Sequence, residues 1–470
     1  MKKTRCLSIF LICVLLLQCL FLPVFAADAV SAEDVDTGPQ PPDPNFHLEA
    51  KSVLLIDLNS GRSVYEQDAD ERIYPASLTK IMTCLLALEK GNLSDVLTFS
   101  DSILNGLNED SSSAGLMAGE QMTLENVLYC MMVVSANEAC NAVAEYIAGS
   151  TADFIRMMNE RAYELGCKDT HFANPHGLHD ERHYTTARDL AIITQAALKS
   201  ETFKKIVNTA EYTVPATNLA PERRLKTTNQ LILKSSSNPY YYSRASGVKT
   251  GYTGAAGRCI ISTAKGDGMS FLAVICGART TILADGGLIM ENFPDAMALF
   301  DYAFDGYSQV TALSTLYPVA QVAVANSAGA EAVAVAPSRD IKLLMPNGYN
   351  ESDLQTVIKL DSETAEAPIH AGDKLGIVNI TYLGEVLETA DLLAIADIAR
   401  SELSGSGAAT SAYIQQNWWK WVVAFIAVVI VAIAVLFVIG RIRLAKARRR
   451  KIQERRRALE DRMRRYHDEF

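Results

Sequence analysis

Two apolar runs bracket the chain, and between them the hydrophobic positions change period. The first, Cys6 to Phe25, carries no charge, follows Lys2, Lys3 and Arg5, is broken by Pro23 and gives way to Ala26 and Ala27. This succession predicts a secretory signal peptide over residues 1–26. The second run, Trp421 to Gly440, holds twenty residues without a charge. At a rise of about 1.5 Å per residue such a helix crosses a hydrocarbon core of roughly 30 Å. Trp418, Trp419 and Trp421 mark one end, and Arg441, Arg443, Lys446 and the Arg448 to Lys451 cluster mark the other. Aromatic side chains favour the membrane interface and basic ones the cytoplasmic side. A single membrane-spanning helix is therefore predicted over 417–440, with the tail 441–470 in the cytoplasm and the residues between the two runs outside the cell membrane.

Residues 27–46, rich in Pro, Asp and Ser, read as a flexible lead-in. Ala50 to Leu58 and Ser63 to Glu66 then read as strands joined at Asn59-Ser60-Gly61. After Pro75, the residues Leu78, Met82, Leu85, Leu86 and Leu88 recur at helical spacing until Gly91, which places Ser77 in the first helical turn. Further helices are expected at Leu124 to Val134, Glu138 to Ile147, Ala152 to Leu165 and Thr186 to Leu198. Strands return at Gly247 to Tyr252, Arg258 to Ala264 and Ser270 to Cys276. Strands enclosing a helical middle predict an α/β (α+β) domain over 47–305 whose first and last strands share one sheet. From Tyr307 the texture becomes short apolar runs such as Ile341 to Met345, Thr356 to Leu360 and Leu375 to Tyr382, which predict a small β-rich domain over 306–400. A linker follows over 401–416, with Gly, Ser and Ala between Ser404 and Thr410.

Charge divides along the same boundaries. Residues 441–470 carry 13 Lys or Arg against 5 Asp or Glu, and Lys2, Lys3 and Arg5 of the signal peptide add three more cations, so that a chain of net charge −10 has about −21 on the exported part. An acidic exterior argues against nucleic acid as a partner, and the basic tail suits anionic lipid of the inner leaflet. Six cysteines lie beyond the signal peptide, at 84, 130, 140, 167, 259 and 276, without metal-ligand spacing. Buried free thiols are expected rather than a disulfide framework.

Three short segments carry candidate chemistry: Ser77-Leu78-Thr79-Lys80, Ser135-Ala136-Asn137 and Lys249-Thr250-Gly251. A serine hydroxyl needs a base to become a nucleophile, and an amine one helical turn away can serve if it is neutral. Burial, and the charge of Lys249 nearby, would both favour neutral Lys80. Ser135 can pass the proton to the leaving amine, and the Asn137 amide can hold a substrate carbonyl. Lys249 and Thr250, expected on the wall of an open cleft, can receive a terminal carboxylate, and Gly251 can let backbone approach substrate closely. Chance matches calibrate the pattern. Ser262 and Lys265 repeat the first spacing in a strand, where positions three apart face opposite ways, and Ser236-Ser237-Asn238 repeats the second in a serine-rich loop.

With these segments stand Pro75-Ala76-Ser77-Leu78-Thr79-Lys80-Ile81-Met82-Thr83, Ser135-Ala136-Asn137-Glu138-Ala139, Asn174-Pro175-His176-Gly177-Leu178, Tyr184-Thr185-Thr186-Ala187-Arg188-Asp189 and Gly247-Val248-Lys249-Thr250-Gly251-Tyr252-Thr253. From roughly Ala50 to Leu393 the chain resembles the low-molecular-weight penicillin-binding proteins that act as serine-type D-alanyl-D-alanine carboxypeptidases, peptidase family S11. The resemblance implies a β-lactamase/transpeptidase-like catalytic domain followed by a β-rich domain. It implies removal of the terminal D-alanine from peptidoglycan stem peptides ending in D-Ala-D-Ala, acylation by β-lactams, and an oxyanion hole made by the backbone N–H groups of Ser77 and Tyr252. It calls for no cofactor and no metal. Family members often end in an amphipathic helix lying on the membrane, whereas this chain has a spanning run and a basic tail.

Three rival readings are weighed against it. His176, His179, Asp180 and His183 are closely spaced as in a metal hydrolase, but Pro175 and Gly177 disfavour the regular helix that would converge them. A β-lactamase shares nucleophile and fold, and would need a dedicated deacylation base that the sequence does not single out. A catalytically silent wall-binding scaffold is the third, against which the intact Ser77, Lys80 and Lys249 stand.

Overall fold

The computed structural model describes residues 44–108, 111–401, 418–420 and 422–444, together with 446, 448 and 450. The predicted signal peptide, nearly all of the lead-in and linker, and most of the tail lie outside the described residues. The chain divides into two compact units, one of Met1–Tyr317, Pro337–Lys359 and Ile377–Asp391, the other of Pro318–Ala336, Leu360–Gly376 and Leu392–Phe470.

The first unit is built on a five-stranded antiparallel sheet. Its strands are β1 (Ser52–Asp57), β2 (Ser63–Gln67), β3 (Ala245–Thr253), β4 (Gly257–Gly266) and β5 (Met269–Ala278), in the spatial order β2-β1-β5-β4-β3. The early strands thus join the late ones in one sheet, with Val53 opposite Ile275 and Leu55 opposite Ala273. Both faces are buried, and the period of two is visible in the packing. Leu54, Leu272 and Val274 enter one apolar cluster, while Val53, Leu55, Phe271 and Ile275 enter the other.

The first cluster is closed by α1 (Lys80–Lys90), α2 (Leu124–Val133), α3 (Asn137–Ala148), α4 (Thr151–Glu164), α5 (Ala187–Ala197) and α6 (Glu201–Val207). Side-chain caps begin several of these helices: the hydroxyls of Thr123, Ser150, Thr186 and Ser200 accept from the N–H groups of Asn126, Asp153, Asp189 and Phe203. The second cluster is closed by α7 (Asn292–Gly306), which presents Phe293, Ala296, Leu299, Phe300 and Ala303 to the sheet. Two further antiparallel pairs, Val96–Thr98 with Gln121–Thr123 and Glu211–Val214 with Arg223–Lys226, fill connections left blank by the sequence reading.

Beyond α7 the described elements are strands, apart from a 3-10 turn at Glu351–Asp353 and the C-terminal helix. Tyr307–Leu313 pairs antiparallel with Ile341–Pro346 in the first unit. In the second unit Ala320–Ala325 pairs antiparallel with the strand starting at Ala332 and parallel with Thr364–Glu366. The apolar helix runs over Trp418–Leu444, four residues past the expected end at Gly440. The apolar stretch stops at Gly440, but Arg441 to Leu444 are good helix formers and the backbone turns continue.

Candidate active site

Ser77 does not lie in α1. It lies in a 3-10 turn, Ala76–Thr79, that precedes the helix and is entered with Ala76 at φ +47°. In a 3-10 turn the side chains at i and i+3 eclipse, which explains why the Lys80 ammonium nitrogen comes within 2.9 Å of the Ser77 hydroxyl oxygen. Lys80 is fully buried, and its Nζ also reaches Asn137 Oδ1 at 2.7 Å and the carbonyl of His176 at 2.7 Å. Burial pulls its pKa below the ordinary lysine value. A neutral amine has two N–H groups and one lone pair, which matches two carbonyl-type acceptors and one serine hydroxyl.

The carbonyl that anchors Lys80 belongs to the Asn174 to Leu178 loop. Asn174 Oδ1 accepts from the N–H of Gly177 at 2.6 Å, and its Nδ2 donates to Leu178 O at 2.8 Å, closing the loop on itself. Gly177 has φ +88°, and a Cβ there would fall 1.8 Å from Ala76 O. Thr83 adds a bond from its hydroxyl to Pro175 O at 2.6 Å. The loop is thus wedged against the turn that presents Ser77.

The histidines of the cluster weighed as metal ligands are spent on this framework. The Ala173 N–H donates to His183 Nδ1 at 3.0 Å, so Nε2 carries the proton and donates to Thr79 Oγ1 at 2.8 Å, which in turn donates to Ala76 O. His176 Nδ1 accepts from the Leu178 N–H at 3.2 Å. Burial, with the charge of Lys80 next in weight for His176, pushes the pKa of His176 down to about 3; burial pushes that of His183 to about 4. His179 meets the edge of Tyr74, and Asp180 pairs with Arg182.

Ser135 and Asn137 stand at the break between α2 and α3. Ser135 takes φ +65°, which ends α2, and Asn137 opens α3 with its N–H bonded to Ser112 O at 2.8 Å. Asn137 Oδ1 is occupied by Lys80, and its Nδ2 makes no hydrogen bond among the described residues. The Ser135 hydroxyl makes no hydrogen bond among the described residues, so the expected relay contact with Lys80 is not formed here.

Lys249, Thr250, Gly251 and Tyr252 follow one another on β3, the edge strand of the sheet. Lys249 is 1 % exposed and does not line an open cleft as expected; its Nζ donates to Thr250 O at 2.9 Å. Burial first and the Lys80 charge second drive its pKa well below the lysine value. The Thr250 hydroxyl shares a 2.6 Å hydrogen bond with that of Thr228. A Cβ on Gly251 would lie 3.0 Å from Ser77 N and 3.1 Å from Pro75 O. A close approach that demands glycine is therefore made to the turn holding Ser77. Tyr252 is 57 % exposed, with the Arg258 guanidinium over its ring at 4.4 Å.

Sequence reasoning missed Asn229 and the structural role of Ser262. Asn229 Nδ2 and Ser262 Oγ both donate to Gly247 O at 2.7 Å, fixing the irregular start of β3 two residues before Lys249. Ser262 is fully buried, and Lys265 is exposed on the same strand. The second Ser-x-x-Lys match thus faces two ways, as its strand context requires.

Family models match two stretches of the chain. Residues 36–280 match the D-alanyl-D-alanine carboxypeptidase family, peptidase S11, and residues 307–400 match the C-terminal domain of penicillin-binding protein 5. The chain is 34% identical to the D-alanyl-D-alanine carboxypeptidase DacF of Bacillus subtilis over 361 residues, covering 75% of this chain and 87% of that one. It is 28% identical to DacA of Escherichia coli, covering 76% and 86%. Among solved structures, penicillin binding protein 5 from Haemophilus influenzae aligns with a TM-score of 0.61 at 26% identity, covering 77% of this chain and 100% of that one. PBP3 from Streptococcus pneumoniae, a peptidoglycan synthesis regulatory factor, aligns with a TM-score of 0.64 at 25% identity, covering 75% and 100%.

Proposed function

The chain belongs to the D-alanyl-D-alanine carboxypeptidase family, and from that premise we propose that it is a serine-type enzyme that trims peptidoglycan stem peptides ending in D-Ala-D-Ala through an acyl-enzyme on Ser77. The relatives carry the carboxypeptidase name, which favours neither the β-lactamase nor the silent scaffold. The observation that carries the serine assignment is the wholly buried amine of Lys80 at 2.9 Å from the Ser77 hydroxyl.

Neutral Lys80 takes the Ser77 proton as Oγ attacks the carbonyl carbon of the penultimate D-alanine. The oxygen of that carbonyl becomes an oxyanion, held by the backbone N–H groups of Ser77 and Tyr252 on the edge strand. As the C–N bond breaks, the departing D-alanine amine receives the proton from Lys80 by way of Ser135, whose hydroxyl turns to bridge them. Asn137 Nδ2 orients the substrate. Lys249 and Thr250 attract the terminal carboxylate, with no metal step. Water then releases the shortened peptide and regenerates Ser77. β-Lactams acylate the same hydroxyl, but their leaving nitrogen stays tethered.

The Trp418–Leu444 helix is long and apolar enough to cross a membrane. We read it as the anchor, with the catalytic unit outside and the tail inside after signal cleavage near Ala26. External protease on wall-stripped cells should then remove the catalytic unit and spare a tag after Phe470. The function is tested by incubating the detergent-solubilised chain with a pentapeptide ending in D-Ala-D-Ala. Release of free D-alanine, unaffected by EDTA, is expected; loss of activity on chelation refutes the serine assignment.

A further inference from the structure

Away from the catalytic residues, a cleft of about 720 Å³ lies in the first unit between the α5–α6 corner and the end of the sheet. Four lysines line it, Lys199, Lys204, Lys205 and Lys265, against one carboxylate, Glu201. This concentration of cations stands out in an exported region of net charge about −21. None of Ser77, Lys80, Ser135, Asn137 or Lys249 reaches it.

The cations are unequally committed. Lys204 bonds Glu201 at 2.7 Å, and Lys205 lies 3.7 Å from Glu125. Lys199 and Lys265 have no ion pair within 4 Å among the described residues, and both are exposed. The Glu201 carboxylate is held below its usual pKa chiefly by Lys204, with Lys265 contributing across the cleft. Donors without an intramolecular acceptor among the described residues complete the lining: the hydroxyls of Ser246 and Ser270 and the side-chain amide of Asn208.

We propose that this cleft binds a phosphodiester-linked oligomer, a soluble chain of repeating phosphate esters. Charge selects an anion. The lining offers compact ammonium charges, which bind phosphate as point charges, together with hydroxyl and amide donors that can reach a tetrahedral phosphate from several directions. The volume is that of a ligand pocket for a multi-unit molecule and is far larger than one phosphate needs. The floor of the cleft includes Ser246, three residues ahead of Lys249 on β3, so the site is built on the strand that borders Ser77 without sharing its groups. The assignment does not rest on the carboxypeptidase reading.

The test is fluorescence anisotropy of a labelled glycerol-phosphate oligomer with the full chain in non-ionic detergent. Saturable binding that weakens as ionic strength rises is expected. The Lys199→Gln/Lys265→Gln double variant should bind about tenfold more weakly, and Lys199→Arg/Lys265→Arg should retain binding because the charge is kept. Lys359→Gln, an exposed lysine outside the cleft, should change nothing. Acylation of the double Gln variant by penicillin at the wild-type rate shows that the fold is intact. Wild-type affinity in the double Gln variant, or no binding of the oligomer at low salt, overturns the proposal. So does competition by inorganic phosphate at concentrations equal to the oligomer's, or binding to phosphatidylglycerol vesicles but not to the soluble chain.

Discussion

Replacing Gly177 by alanine puts a methyl group where the structure has the carbonyl of Ala76. The ideal Cβ lies 1.8 Å from that oxygen, 2.4 Å from its carbon and 2.9 Å from Thr79 Oγ1. Two of the three are backbone atoms and cannot swing aside. Restoring an ordinary contact requires the loop or the nucleophile turn to move by more than about 1 Å, a displacement that at a reacting centre costs on the order of a hundredfold in rate. The left-handed φ of +88° adds about 1–2 kcal/mol of strain. Gly149 supplies the matched control, since it has φ +76° and nothing within 4 Å of its Cβ position. Gly149→Ala should therefore pay the strain alone, lowering thermal stability while leaving acylation by penicillin unchanged. Gly177→Ala should lower stability further and slow acylation about a hundredfold or more. Stopped-flow acylation of both variants with a fluorescent penicillin, alongside their melting curves, separates the effects. A Gly177→Ala protein that acylates at the wild-type rate would refute the view that this loop sets the position of Ser77 and Lys80.

Three other outcomes follow from the same geometry. Because burial lowers the Lys80 pKa, acylation should rise with pH as the amine deprotonates and then level off, and Lys80→Arg should be nearly inactive because guanidinium stays charged; an active Lys80→Arg protein would move the base elsewhere. Lys249→Gln should impair turnover of free-acid peptides more than of peptides with an amidated C-terminus, and equal losses on both would contradict a carboxylate contact. His176 and His183, with pKa values of about 3 and 4 in the fold against about 6.5 unfolded, stay neutral in the native state while the unfolded chain takes up protons as pH falls. Stability is therefore lost as pH drops below about 6.5, by about 2 kcal/mol for each histidine at pH 5, offset by about 1 kcal/mol from Asp295, whose carboxyl burial raises to about 6. Thermal unfolding at pH 7.5 and pH 5 checks this, and an unchanged melting temperature would contradict neutral buried histidines.

The sheet was legible because its strands are apolar on both faces and bounded by turn residues, and five helices, α1 to α5, were legible from the spacing of their apolar residues. Helix α7 was not read, although Phe293, Ala296, Phe300 and Ala303 recur at helical intervals; Pro294 obscured it, yet proline is tolerated in a first turn. The three candidate segments could be singled out from sequence because each is a short local pattern. Their support could not, because it is long-range: His176 O on Lys80 spans 96 residues and His183 on Thr79 spans 104. Lys249 was placed in an open cleft because a lone lysine on an edge strand is usually solvated. Its burial depends on the Ser77 turn packed against Gly251, which no local pattern reveals.

The central claim is that Ser77 forms the acyl-enzyme. Full-length protein labelled with penicillin, digested and mapped by mass spectrometry should carry the adduct on the peptide containing Ser77, and Ser77→Ala should carry none while keeping its melting temperature within a few degrees of wild type. An adduct that maps to Ser135 or any other residue, or that persists in Ser77→Ala, would contradict the account.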